Sequence, residues 1–277
     1  MSETESTPIR HELKLDLDQP FELVKIGIRR ATAFLKIVDG IGREAIPEDL
    51  SLGGSIALSF WPRPITENIR DAIHREFHAW VVGSCLKELE QHFAIFLDGV
   101  WRIVELSELH GKTIHSSAII RFDDKFPNVT NSARKAEKLS ELLGAKIEFK
   151  SLDSLSRARN VLTHGIGIVR KRDVNAENQS LAVSWRAWDL GIKDGDKELL
   201  FREFPADMYQ ITSPEGAQIF MKARLAEMKF EVGEKISFSQ IDLAEICLFY
   251  HLQAASIIEA LRGFLIAKGI NPNSKPT

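Results

Sequence analysis

Apolar positions along this chain recur mostly at helical spacing. FELVKIGIRRATAFLKIVDGI, Phe21 to Ile41, predicts a first helix after a loose tail over residues 1 to about 20. Residues 42–66 are punctuated by Pro and Gly and predict a loop with one short strand, IALSFW. Thr66 is a good N-cap with Glu67 in the first turn, and a helical pattern then runs to about Glu108. Such a length predicts one very long helix, or two broken near Gly83 or Asp98-Gly99. Ser132 to Gly144 reads as another helix with a Gly stop, and a short one ends in RARNVLTHG, Arg157 to Gly165.

Past Gly165 the period changes. GIGIVRKRDV, LAVSWRAWDL and KELLFREF are rich in β-branched and aromatic residues and predict a β-ribbon of two or three strands. Residues 213–231 read as helix again, and Phe238 to Gly269 as a long amphipathic helix. The expected fold is mainly α, an antiparallel helical bundle over residues 67–269 with a β insertion at about 167–204. Residues 21–66 form an N-terminal helix and loop segment, and 270–277 a tail.

Composition places few limits on this picture. The chain has 277 residues, 44% hydrophobic and 27% charged, and a net charge of −3, which argues against a protein that coats nucleic acid with its whole surface. Locally the balance differs: between Ser154 and Arg172 there are five cations (Arg157, Arg159, Arg170, Lys171, Arg172) and no Asp or Glu. Cys85 and Cys247 lie in apolar helical contexts and are expected as reduced, buried side chains. The opening MSETESTPIR lacks the basic start and apolar run of a signal peptide, and Ile246 to Ala267 carries His251, Glu259 and Arg262, as a core helix does and a membrane span seldom does. The expected location is the cytoplasm, with no membrane attachment.

The short helix before Gly165 raises the chemical question. Leu152, Leu155, Ala158, Val161 and Leu162 form its apolar face, while Arg157, Arg159, Asn160 and His164 fall elsewhere. Asn is a mediocre helix residue, because its amide competes with the backbone. At about 100° per residue Asn160 lies roughly 40° from His164, within reach for orienting the imidazole, but Arg159 lies roughly 140° away. Three arrangements remain open: the last turn loosens, the long guanidinium reaches around, or Arg and His from two subunits share one substrate. His titrates near neutrality and can take a ribose 2′-hydroxyl proton; an Arg fork can stabilise the charge gained by a pentavalent phosphate.

RNVLTH, an Arg, a polar residue and a His after a spacer of four, resembles the motif of the HEPN superfamily. The resemblance extends, in helix order only, over residues 67–269. It implies a helical bundle that dimerises and a metal-independent endoribonuclease without cofactor. Arg159 would hold the phosphate, His164 move protons and Asn160 assist, giving a 2′,3′-cyclic phosphate and a 5′-hydroxyl. It also implies a toxin or defence effector with a cognate antitoxin; the alternative is a HEPN-like module that only dimerises or binds ligand. Arg157, Arg170, Lys171 and Arg172 are the expected RNA-binding cations.

Other candidates have plainer readings. His74 and His78 in HREFH could hold a metal, but Arg75 stands where a zinc hydrolase has Glu, and a solvated or interface face explains them. HGKTIH, with His110 and His115, lacks the glycine and strand of a phosphate-binding loop. Trp185 and Trp188 should face opposite sides of a strand, one in the core; the other could stack on a base, but a β-ribbon packing on helices explains both. No metal site is expected.

Overall fold

The computed structural model describes residues 15–40, 50–51, 57–58, 65–112, 121–122, 125–126, 128–129, 131–174, 179–201 and 216–272. Five helices, α1 (Asp18–Asp39), α2 (Glu67–Ser107), α3 (Ser132–Leu143), α4 (Phe149–His164) and α5 (Gln240–Ala267), carry most of them. A two-residue pairing, β1 (Leu50–Ser51) with β2 (Ala57–Leu58), lies within the predicted loop, β2 inside IALSFW. The remaining sheet is β3 (Ser180–Asp194), β4 (Lys197–Leu200) and β5 (Ala217–Glu231), antiparallel in the order β4-β3-β5. The protein is mainly α with a small sheet, as the periodicity implies.

Local chemistry sets the helix ends. Thr66 Oγ1 accepts from the Ile69 amide, Asn131 Oδ1 from those of Ala133 and Arg134, and Ser239 and Asp242 close a reciprocal capping box on α5. Gly144 ends α3 in the left-handed conformation, φ 70°.

α2 is one continuous helix of 41 residues. Its glycines are notches, not breaks. A Cβ on Gly83 would sit 3.2 Å from Leu162 Cβ of α4, and one on Gly99 3.2 Å from Pro20 Cβ of α1. Gly27 of α1 does the same in reverse, where a Cβ would meet His92 Cβ of α2 at 2.8 Å. Backbones approach closely at these points because the side chain is missing.

α1, α2 and α5 pack on one another, α3 and α4 close the bundle, and β3 lies on α4 and α5. One core runs through them all, from Val24 and Ala31 through Phe93, Phe96 and Tyr250 to Leu152, Trp185 and Phe238. Leu15 and Leu17 are buried in it, so residues 15–20 are not the loose tail expected of them; residues 1–14 and 273–277 fall outside the described part. α5 is long and apolar enough to cross a membrane by length and composition, but half of its apolar window is buried inside the molecule. Lys135, itself buried, ties α3 to α2 by bonding both carboxylate oxygens of Asp98, at 2.6 and 2.9 Å.

The sheet corrects two expectations. Residues 213–231 were expected as helix, yet β5 pairs with β3 along all fifteen of its residues, Ala217 opposite Asp194 through Glu231 opposite Ser180. Ala226, Met228 and Phe230 turn inward against Trp185, Val183 and Leu181. Pairing and burial override the helix-favouring Ala, Met, Lys and Glu content. The strands therefore begin at Ser180 and include Ala217–Glu231, where the expected insertion ran over about 167–204. GIGIVRKRDV forms no strand; Ile168 makes a single bridge to Lys235, and Arg170 to Asp173 is a turn. Of KELLFREF only 197–200 are strand, and residues 202–204 fall outside the described part.

Candidate functional site

α4 buries Leu152, Leu155, Ala158 and Val161, as the apolar spacing requires, and with them three serines. Ser154 serves the sheet: its hydroxyl accepts from the Ser184 amide at 3.0 Å and lies 3.1 Å from the Ser184 carbonyl, covering part of the β3 edge. Ser156 faces α2, where it meets a carboxylate absent from the sequence-based site.

That carboxylate is Glu90. Its side chain is only 6% exposed and accepts from three neighbours: Ser156 Oγ at 2.5 Å, Ser132 Oγ of α3 at 3.2 Å, and Arg159 Nε at 2.5 Å. Glu90 interrupts an apolar stripe, standing four residues after Leu86 and three before Phe93, both buried. A carboxylate on a core face demands a cationic partner, and that pattern was the available clue. The pairing holds the Arg159 guanidinium above its ordinary pKa, against the opposing effect of burial. Tyr250 lies close enough to feel the same charges; burial first, and Glu90 second, push its phenol well up.

Arg159 is thus gripped along one edge while a quarter of its side chain reaches solvent. Asn160 and His164 are exposed, and neither side chain has a hydrogen bond among the described residues. His164 is the last residue of α4; Gly165, whose amide bonds the Val161 carbonyl at 2.8 Å, follows it. A Cβ on Gly165 would lie 2.7 Å from that carbonyl oxygen, so the position requires Gly. Ile166 then adopts φ 55° with its side chain largely exposed, a strained state for a β-branched residue, and Gly167 continues at φ 76°.

The expected cations divide into two groups. Arg157 Nη2 donates to the Asp173 carbonyl at 2.8 Å, so the exposed Arg170, Lys171 and Arg172 fold back beside it. Arg157 and His164 lie seven residues apart, nearly in line on a helix, whereas Arg159 faces α2. The structure therefore gathers Arg157, Arg170, Lys171 and Arg172 on the His164 side of α4. It leaves Arg159 on another side, with no bond joining it to His164.

A second polar cluster lies under the sheet. Arg224 Nε donates to Asp189 Oδ1 at 2.9 Å, the same guanidinium bonds Glu245 of α5, and Glu245 also accepts from Trp185 Nε1 at 3.1 Å. Burial opposes the charge on Arg224, but the two carboxylates together hold its pKa above the ordinary value. These bonds fasten the ribbon to α5. Trp185 is core and Trp188 faces the other side, as alternation requires.

Among the described residues no group of three or more His, Cys, Asp or Glu is arranged to hold a metal, so His74 and His78 find no third ligand there. His110 is exposed, and His115 lies outside the described residues. Comparison of the chain with protein-family models, with curated proteins and with solved structures finds no match.

Proposed function

We propose that the protein is a metal-independent endoribonuclease of HEPN type, working as a homodimer in which the ends of two α4 helices share one substrate. The observation that supports this most directly is the posture of Arg159. Glu90 fixes the Nε edge of the guanidinium, and the rest of the fork, partly open to solvent, is set to meet a phosphate. His164, exposed at the helix end, takes the 2′-hydroxyl proton. The 2′-oxygen attacks phosphorus, the bond to the 5′-oxygen breaks, and the partner's imidazolium gives that oxygen a proton. Arg159 stabilises the charge on the pentavalent phosphate, Asn160 orients the imidazole, and the turn Arg170–Arg172 with Arg157 guides the RNA backbone. Because the two side chains face different sides of one helix, it is the Arg of one subunit and the His of the other that act together.

The alternative is a module that dimerises or binds ligand without cleaving. It draws support from the same ion pair: Glu90 already balances the charge of Arg159. Incubating purified protein with RNA in EDTA separates the two. The nuclease reading expects 2′,3′-cyclic phosphate ends from wild type and none from His164→Ala or Arg159→Lys. Equal cleavage by all three, or none by wild type, overturns it.

A further inference from the structure

The outward face of the ribbon is apolar. Counting by strand alternation, Trp188, Leu190 and Ile192 of β3 lie opposite Ala223, Met221 and Ile219 of β5, and all six turn away from the bundle. Their inner-face neighbours are the buried Trp185, Ala187 and Ala226. Ile219 is 76% exposed, Leu225 64% and Met221 57%, while Leu190 and Phe201, the residue after β4, are nearly half exposed. Soluble monomers rarely leave so many large apolar side chains adjacent on one flat surface.

We propose that this face is where a second copy of the chain packs, sheet against sheet about a two-fold axis. The exposed parts of the five side chains offer on the order of 600 Å², close to the roughly 800 Å² per partner that a standard interface buries. Both charge signs stand at the rim: Lys197 and Glu198 near one end, and Glu227 paired with Lys229 at 3.0 Å near the other. A surface of mixed sign can meet its own image, as an isologous contact requires. A nucleic acid finds no cationic centre here, because the face is apolar and Arg186 at its margin is held by Glu148 at 2.5 Å. The interface is separate from α4 and does not depend on the ribonuclease reading; where the α4 contact forms as well, two two-fold contacts join four copies.

Mass in solution tests it. Sedimentation equilibrium between 1 and 100 µM is expected to give four times the chain mass for wild type where the α4 contact also forms, and twice the chain mass where it does not. Met221→Glu/Leu225→Glu, which alters only exposed positions, is expected to weaken the ribbon contact at least 100-fold and so halve the mass, with an unchanged circular dichroism spectrum. Ala223→Cys supplies a second reading that does not rely on disruption. Its thiol lies in the middle of the patch while both native cysteines are buried, so a short bismaleimide is expected to join two copies of this variant and not of wild type. A monomeric wild type at 100 µM overturns the proposal. So does a wild-type mass that the double substitution leaves unchanged, or an Ala223→Cys protein that fails to cross-link.

Discussion

Removing the partner of a buried charge should cost more than removing the whole pair, and Glu90 with Arg159 offers a clean case. Glu90 is almost fully enclosed, whereas Arg159 keeps a quarter of its side chain in solvent. Arg159→Met leaves a carboxylate inside the protein with only the Ser132 and Ser156 hydroxyls to satisfy it. The expected loss is about 3–5 kcal/mol, the range found for breaking a buried pair from one side. Glu90→Gln keeps an acceptor for the hydroxyls, and the freed guanidinium can turn outward to water, so about 2 kcal/mol is expected. Glu90→Gln/Arg159→Met removes both charges and should cost less than Arg159→Met alone, giving a coupling of roughly 2 kcal/mol in a double-mutant cycle. Urea unfolding followed by circular dichroism measures all four proteins, and each 2 kcal/mol moves the midpoint by about 1 M or less. Additive losses, or Glu90→Gln costing more than Arg159→Met, would refute the claim that the enclosed carboxylate sets the energetics.

Two helical glycines should respond with opposite signs. Gly27→Ala drives a methyl to 2.8 Å from His92 Cβ and is expected to lower stability by about 1–3 kcal/mol despite the better helix propensity; Gly263→Ala meets nothing within 4 Å and should gain about 0.5–1 kcal/mol by thermal denaturation. The thiols give a pH prediction. Burial pushes both Cys85 and Cys247 up to about 12, so the folded protein keeps thiol protons that the unfolded chain loses near pH 8.5. Their contribution to stability is complete below that pH and falls as pH rises toward 12; at pH 8 a thiol-reactive dye should find no rapidly reacting cysteine until denaturant is added.

The helices were legible because each buries an apolar stripe, and α2, α3 and α5 carry their own side-chain caps. Thr66 and the stop at Gly144 could be read from the sequence; the caps at Asn131 and Ser239 act through the same kind of local bond but were not anticipated. β5 was not legible, because its partner strand begins 37 residues earlier and its residues favour helix when taken alone. Alternation is visible in Ala226, Met228 and Phe230 only once an inner face exists for them to share. At the candidate site, Arg159, Asn160 and His164 stood out as an odd composition at the end of a short helix, yet their partner lay 69 residues away in a different helix. An acidic residue on an apolar stripe announces that it needs a cation but does not name it. That link is made by tertiary packing.

The notches at Gly83 and Gly99 bear on how this molecule can move. Leu162 and Pro20 each sit where a neighbour's side chain is absent, on opposite halves of the same 41-residue rod. Sliding α4 along α2 by one helical turn would bring Leu162 against a position that has a Cβ, and sliding α1 would do the same to Pro20. Gradual shear between these helices is therefore closed to the protein. Change must come from pieces that meet no notch: the turn after His164, the far half of the ribbon, or another copy of the chain.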